Sequence, residues 1–322
     1  MQDMAVRKYG GIRAMTRPIL RVENLRTYFP IQRGLLRRTA GFVRAVDGVT
    51  FDLLPGETIG IVGESGCGKS TLLRSIVGLI KPSSGTIQLD GNTLTASSRH
   101  NRQILQDMQM VFQNPYASLN PKMTIGSIIR EPLQVLQLLS KDKWNSRVNE
   151  LLQVVGLNPD DTMKFPHQFS GGQRQRIGIA RALACSPRLL LLDEPVAALD
   201  VSIQAQVLNL LFDLQQDLGL TYVFVSHDLA VVRYLSTRIL VLRQGRMIEM
   251  ADTEELFANP LHPYTQTLLA AVPIPDLDIE QSRVPGNLVD TSAEAMQETT
   301  TLEISESEWK RVKPNHYVTV SA

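Results

Sequence analysis

Cysteine is nearly missing from this chain of 322 residues: Cys67 and Cys185 are the two it has. Two thiols cannot build a disulfide framework, so the fold has to be held by its core. Long apolar runs are also lacking. None approaches the ~20 residues that a membrane-crossing helix needs, and the opening MQDMAVRKYGG holds no apolar stretch of signal-peptide length. The expectation is a soluble cytoplasmic protein whose dealings with a membrane go through a partner. Excess charge of one sign is absent as well. A net charge of +1 gives no global attraction to nucleic acid or to an acidic membrane. What is present is apolar material, 43% of residues against 20% charged, enough for a full core. At roughly 100–200 residues per domain, the length allows one large domain or two smaller ones.

The most informative short stretch is GESGCGKST, residues 63–71. It fits G-x-x-x-x-G-K-[ST], with Gly63, Gly68, Lys69 and Ser70 at the fixed positions and Glu64, Ser65, Gly66, Cys67 and Thr71 completing the loop. TIGIVG (58–63) before it reads as a buried strand. KSTLLRSIVGLI (69–80) after it reads as a helix, with Leu72, Leu73, Ile76 and Leu79 on one face. Strand, glycine turn and helix start are what a phosphate cradle requires. Glycines let backbone N–H groups point at the anion, and the helix N-terminus adds its positive end. Lys69 is expected to reach the β- and γ-phosphates of ATP, and the Ser70 hydroxyl to ligate Mg²⁺. Cys67 lies inside this loop, where a positive field favours its thiolate. A thiol alkylator would then block ATP binding and bound ATP would protect. An inert small residue is the other reading of Cys67.

A second catalytic element is expected where a buried strand ends in carboxylates. RLLLLDEP (188–195) supplies it. Four successive leucines suit a central parallel strand covered on both faces, and ligands bind at the carboxyl ends of such strands. Successive strand residues point opposite ways, so Asp193 and Glu194 divide the work. Asp193 is read as a holder of the Mg²⁺ shell, through water, and Glu194 as the base that orients the attacking water. No Asn-Lys-x-Asp segment follows, which disfavours a GTPase.

Residues 169–187, FSGGQRQRIGIARALACSP, give a further small-residue turn at a helix start, Ser170-Gly171-Gly172 followed by Gln173. It is a second anion-receptive helix N-terminus. One nucleotide loop and two phosphate-facing turns suggest that the second turn serves a neighbouring chain, in a head-to-tail pair closing two sites at once. An ordinary glycine-initiated helix has the same pattern. A metabolic kinase would use about this much chain but leaves FSGGQ unexplained.

With these motifs in order, the chain resembles the ATP-binding subunits of ABC transporters over about residues 20–271. FSGGQ resembles the family's signature, with Phe169 where Leu is commonest. Gln113 in MVFQNP (110–115) resembles the Q-loop glutamine, which touches Mg²⁺ and the attacking water. His227 in YVFVSHDL (222–229) resembles the switch histidine that contacts the γ-phosphate, and Asp200 in AALD (197–200) the aspartate at the dimer seam. Relatives usually have Ser where Ala197 stands; the departure leaves Glu194 untouched. An aromatic for adenine stacking is expected before the first core strand. Phe29 in LRTYFP (25–30) lines up first and Tyr28 second; packing inside a β-subdomain is the other role open to them.

The resemblance implies an α/β fold: a P-loop NTPase with a RecA-like parallel core sheet, an N-terminal antiparallel β-subdomain and an inserted helical subdomain. Its parts would be a variable arm (1–18), the ATPase domain (19–271, helical subdomain about 114–185) and a C-terminal extension (262–322), partly disordered. NPYASLNPKMTIGSIIREPL (114–133), HPYTQTLLAAVPIPD (262–276) and the insertion at 31–48 resemble the oligopeptide/dipeptide/nickel importer group, nearest to oligopeptide-importer ATPase subunits. The arginines of 31–48 read as a solvated loop rather than a binding patch. Some relatives bind an iron–sulfur cluster through cysteines after the His-Pro-Tyr segment. This chain has no cysteine beyond Cys185, so no cluster is expected. From Asp276 to Glu308, nine acids face Arg283 alone, which predicts loose order, with 309–318 docking back as a strand. The function implied is ATP hydrolysis that energises peptide uptake from the cytoplasmic face of the membrane. Implied partners are a second ATPase subunit, identical or paralogous, two membrane permease subunits and a solute-binding protein, with no nucleic acid. Nickel, glutathione or another solute is the alternative cargo. A non-transport ABC ATPase of DNA repair or translation is the rival class; those usually carry paired cassettes, long coiled coils or zinc cysteines.

Overall fold

The computed structural model describes residues 17–33, 38–95, 101–271, 309–313 and 315–319. The expected N-terminal arm up to residue 16 and the acidic stretch 276–308 lie outside them. The strands are β1 (Leu20–Arg33), β2 (Arg38–Leu53), β3 (Thr58–Val62), β4 (Ser84–Leu89), β5 (Asn92–Thr93), β6 (Met108–Val111), β7 (Leu189–Asp193), β8 (Thr221–Val225), β9 (Arg238–Arg243), β10 (Arg246–Asp252), β11 (Trp309–Lys313) and β12 (His316–Thr319).

They form two sheets. The larger has the order β11-β12-β10-β9-β3-β8-β7-β6, and the smaller β2-β1-β4-β5. Strands β9, β3, β8, β7 and β6 run parallel, while β10, β12 and β11 add antiparallel partners at one side. The small sheet is antiparallel throughout.

Sequence explains why the parallel strands sit in the middle. β3, β7 and β8 are buried at every position, and their side chains alternate between two cores. Ile59, Ile61, Leu189, Leu191, Val223 and Val225 face the small sheet and helix Lys69–Ile76. Leu190, Leu192, Tyr222 and Phe224 face the helices on the other side. Each such side chain contributes about 1.5–3 kcal/mol by burial, so these strands form a stiff frame. Across one face lies the helical insertion, with Ile125–Val135 and Trp144–Val154 packed against helix Gly171–Leu183.

Two sequence expectations need correction here. The segment 31–48 is not a solvated loop: β1 and β2 extend through most of it as a hairpin, with Phe29 opposite Val43 and Ile31 opposite Gly41. Its residues 34–37 are outside the described set. The helix after the glycine loop ends at Ile76, not Ile80. Gly78 adopts φ +86 just past the last helical residues, the usual helix-stopping geometry, and Leu79 is exposed rather than on the packed face.

Candidate functional site

Every predicted catalytic side chain hangs on the carboxyl ends of adjacent parallel strands. The glycine loop follows β3, Ser226 and His227 follow β8, Glu194 follows β7 and Gln113 follows β6. Those four strands are neighbours in the order β3-β8-β7-β6. A parallel sheet opens its crevice at this edge.

The loop of residues 63–68 leaves no room for a side chain at its two ends: a Cβ on Gly63 would lie 2.1 Å from the Leu242 carbonyl oxygen. Gly68 has φ +110, and a Cβ there would lie 2.0 Å from the Ala45 carbonyl oxygen. The Gly245 N–H donates to Cys67 O at 2.8 Å and the Glu64 N–H to the Tyr264 hydroxyl at 3.1 Å. Lys69, 4% exposed, opens the following helix and folds its ammonium beneath the loop. Nζ donates to Gly63 O (2.7 Å) and Glu64 O (2.9 Å). Its positive charge is thus fixed at the helix N-terminus, beside the peptide N–H groups of the turn.

Ser70 donates its hydroxyl to Asp193 Oδ1 at 2.7 Å. Asp193 is fully buried. Among the described residues its other oxygen accepts no hydrogen bond, and Arg74 Nη2 stands 3.7 Å away. Burial pushes this carboxyl above the ordinary value, against the Ser70 hydrogen bond and the charge of Arg74. A hydroxyl next to a buried, incompletely paired carboxylate is the donor set that Mg²⁺ takes together with substrate phosphates and water. The residues therefore fit that ion.

Glu194 leaves β7 through a left-handed backbone, φ +44. This turn, more than strand alternation, separates it from Asp193. Its side chain is 14% exposed and meets both loop neighbours. Gln113 Nε2 donates to Glu194 Oε2 at 2.8 Å, and His227 Nδ1 lies 3.3 Å from the same oxygen. A non-glycine residue held in this conformation at a strand end is common where a site needs a side chain re-aimed. His227 is followed by Asp228, which caps helix Leu229–Leu235 by accepting from the Ala230 and Val231 N–H groups.

Ser170 begins helix Gly171–Leu183 with a capping box: its Oγ accepts from the Gln173 N–H, and Gln173 Oε1 accepts from the Ser170 N–H. Ser170 is exposed, and its hydrogen bonds among the described residues stay within its own helix. The two glycines behind it touch the start of helix Val201–Leu218. A Cβ on Gly171 would lie 3.3 Å from Leu199 Cδ2, and one on Gly172 2.2 Å from Ile203 Cγ2. Asp200 opens that helix without using its carboxylate as a cap.

The predicted aromatics divide. The Tyr28 hydroxyl donates to Asp47 and its ring lies 5.8 Å from the Arg44 guanidinium, whereas Phe29 is exposed. Cys67 corrects an expectation. Burial raises its thiol above the ordinary value, and the nearby Lys69 charge does not offset this, so the thiol form prevails at neutral pH. Sequence reasoning also missed Tyr264 as part of the site. The His-Pro-Tyr segment was legible only as a marker of kinship, because its contact with Glu64 spans 200 positions.

Together these features define a P-loop ATPase cassette: a glycine loop over a buried lysine, a hydroxyl–carboxylate pair beneath it, a strand-end glutamate met by Gln113 and His227, and an outward-facing glycine turn at a second helix start. Comparison with known proteins gives the branch. The family described as ABC transporter matches residues 46–197, and the oligopeptide/dipeptide transporter C-terminal region matches residues 248–297. The oligopeptide transport ATP-binding protein OppF of Bacillus subtilis (strain 168) is 47% identical, over 94% of this chain and 96% of that protein. The di/tripeptide transport ATP-binding protein DppF of Pseudomonas aeruginosa is 47% identical over 84% of each. The cassette MJ0796, solved as a dimer in a post-hydrolysis state bound to ADP and Pi, superposes with TM-score 0.64 at 29% identity, over 73% of this chain and 98% of that one. This chain belongs to the ABC transporter ATP-binding proteins, within the oligopeptide transport branch. It is an ABC-type ATPase, of the kind that works with permeases in import systems. Among the described residues no helix is long and apolar enough to cross a membrane.

Proposed function

We propose that this chain hydrolyses ATP to energise uptake of di- and oligopeptides, working at the cytoplasmic face of the membrane. Its partners are a second ATPase subunit, two permease subunits and a solute-binding protein that acts through the permease. The peptide cargo is supported by the relatives named for oligopeptide and di/tripeptide transport. The observation that carries the mechanism is the convergence of Gln113 and His227 on one oxygen of Glu194.

ATP lies along the glycine loop, with adenine against Phe29 and its phosphates over Lys69 and the loop N–H groups. Ser70 and Asp193, with Gln113 alongside, are the residues that would hold Mg²⁺, which would supply charge neutralisation on the transferring phosphoryl group. Glu194 orients the attacking water, Gln113 keeps the Glu194 carboxylate aimed, and His227 meets the γ-phosphate. Ser170, Gly171, Gly172 and Gln173 of a second subunit close the other side of the nucleotide, and Asp200 sits at the seam. Dimeric cassettes among the structural neighbours support this pairing. Gln113 is joined through Asn114 to helix Pro115–Ser118 and so to the helical insertion. Nucleotide turnover then moves that insertion, and the permease subunits with it.

Glu194→Gln in the assembled transporter tests the assignment. The amide can keep the contact with Gln113 but is a far weaker base. ATP binding is expected to persist, hydrolysis to fall about 10²–10⁴-fold, and peptide uptake to cease. Hydrolysis at the unmodified rate would remove Glu194 from its role. Peptide uptake that persists when the subunit is deleted would remove the cargo.

A further inference from the structure

We propose that the C-terminal hairpin β11–β12 seats the phosphate loop through a relay of buried contacts, with Tyr264 as the positioning residue at its end. The inference rests on residues 63–71 being the nucleotide loop.

The relay starts at a carboxylate that would be costly to bury alone. Glu249 on β10 is fully buried and gathers three partners. Its Oε1 accepts the Leu261 N–H (2.8 Å), its Oε2 the His262 N–H (3.0 Å), and His316 Nε2 stands 2.9 Å from Oε1. His316 belongs to β12 and is itself fully buried. Its Nδ1 lies 3.4 Å from Glu255 Oε1, which also pairs with Lys313 Nζ at 2.6 Å. The hairpin therefore reaches back onto the cassette through side chains as well as through its pairing with β10.

From Glu249 the relay runs toward the nucleotide. The two peptide N–H groups it accepts fix the turn at 261–262. His262 then caps helix Pro263–Ala270, its Nδ1 accepting the Tyr264 N–H at 3.0 Å. This places the Tyr264 ring, 8% exposed, beneath the Arg243 guanidinium at 5.0 Å. Its hydroxyl accepts the Glu64 N–H. Burial pushes that hydroxyl up to about 12, so it stays neutral at physiological pH. Glu64 is a poor place for slack, because its carbonyl accepts both Lys69 Nζ and the Cys67 N–H. Tyr264 thus ties the start of the loop to the C-terminal region, while β2 and Gly245 hold its far end. Glu249 and Tyr264 fall in the matched C-terminal region, and His316 lies beyond it.

Tyr264→Phe in the full chain keeps the ring under Arg243 and removes only the hydroxyl. The expected result is ATP affinity and KM weakened about fivefold, the equivalent of about 1 kcal/mol for one hydrogen bond. Turnover at saturating ATP and the melting temperature stay near those of the unmodified protein. His316→Ala weakens ATP binding in the same direction, and His316→Gln, which retains a donor for Glu249, recovers it. In the relay the effects overlap, so the double variant Tyr264→Phe/His316→Ala binds no worse than the weaker single variant. Should His316→Ala fail to fold, Tyr264→Phe and His316→Gln still decide the matter. Unchanged ATP affinity in Tyr264→Phe, or fully additive losses in the double variant, would overturn the relay and leave the nucleotide loop standing. Unmodified protein that binds no ATP would overturn the nucleotide loop and the relay with it.

Discussion

Adding one methyl group at Gly172 tests how the proposed second anion turn is built. The residue lies in the first turn of helix Gly171–Leu183 at an ordinary helical φ, so Ala should be favoured there by about 0.8–1.0 kcal/mol on propensity. Space says otherwise. The new Cβ would lie 2.2 Å from Ile203 Cγ2, where carbon atoms rest comfortably at about 3.5–4.0 Å. Ile203 cannot swing away cheaply, since a β-branched side chain in a helix has one strongly preferred rotamer. The helices must therefore part by about 1 Å or more. Overpacking of this kind costs about 1–3 kcal/mol, which after the propensity gain leaves a net loss of about 0–2 kcal/mol. The Gly172→Ala protein should fold, with a melting temperature only a few degrees lower. Its turnover should suffer far more, because a misplacement near 1 Å at a reacting centre can cost about 10²-fold. The assay is ATPase rate in the assembled transporter alongside thermal melting. Ile203→Ala added to Gly172→Ala removes the obstructing carbon and should restore much of the rate. Full turnover in Gly172→Ala alone, or no recovery in the double variant, refutes the steric explanation.

Two further outcomes follow from burial. Cys67, whose thiol is held above the ordinary value of 9.0 chiefly by burial, should alkylate slowly at pH 7, and its rate should keep rising through pH 9; a rate that levels off near neutrality would show a stabilised thiolate. Arg238, 5% exposed at its side chain, makes a two-pronged pair with Glu57 (2.6 and 2.9 Å). Arg238→Met should cost about 3–5 kcal/mol by leaving that carboxylate buried without its guanidinium, with part recovered by adding Glu57→Gln; chemical denaturation that shows a loss under about 1 kcal/mol would refute this.

What the sequence discloses about this site is set by how local each cause is. The phosphate loop, the leucine strand and the β-rich run before His227 are each specified within about ten residues, by glycine placement and apolar pattern, and β3, β7 and β8 lie where those patterns put them. The stop of the first helix was also local: Gly78 marks it, but the apolar spacing that reaches Leu79 overrode the glycine in reading. Other features were not local. That the turn at Glu194 is left-handed depends on its N–H bonding Val225 O in the next strand, which no window around residue 194 contains. The Cys67 expectation weighed the field of the loop and could not weigh desolvation, because burial depends on how the loop packs against β9 and β10. The hairpin in 31–48 has few turn signals at its arginine-rich centre, and cross-strand pairing decides it.

The division between stiff and loose parts explains how such a site can work repeatedly. Ser70 and Asp193 belong to elements packed on both faces, and the backbones that carry them cannot move apart without disturbing the central sheet. Glu194 is different. Gln113 and His227 approach the same oxygen from exposed positions. Either can withdraw and the carboxylate keeps one neighbour and access to water, so the change costs about 1 kcal/mol rather than the penalty of an orphaned buried charge. Gln113 is the one with somewhere to take the motion. Just beyond it, Tyr116 lies 4.1 Å under the Arg174 guanidinium and Ser118 O accepts from Arg181 Nη1 at 2.6 Å. Both arginines ride on the helix that begins at Ser170. Any shift of Gln113 would therefore pull on the start of that helix, which under the proposed mechanism faces the nucleotide of a second subunit, while the backbones at Ser70 and Asp193 give it a fixed point to move against.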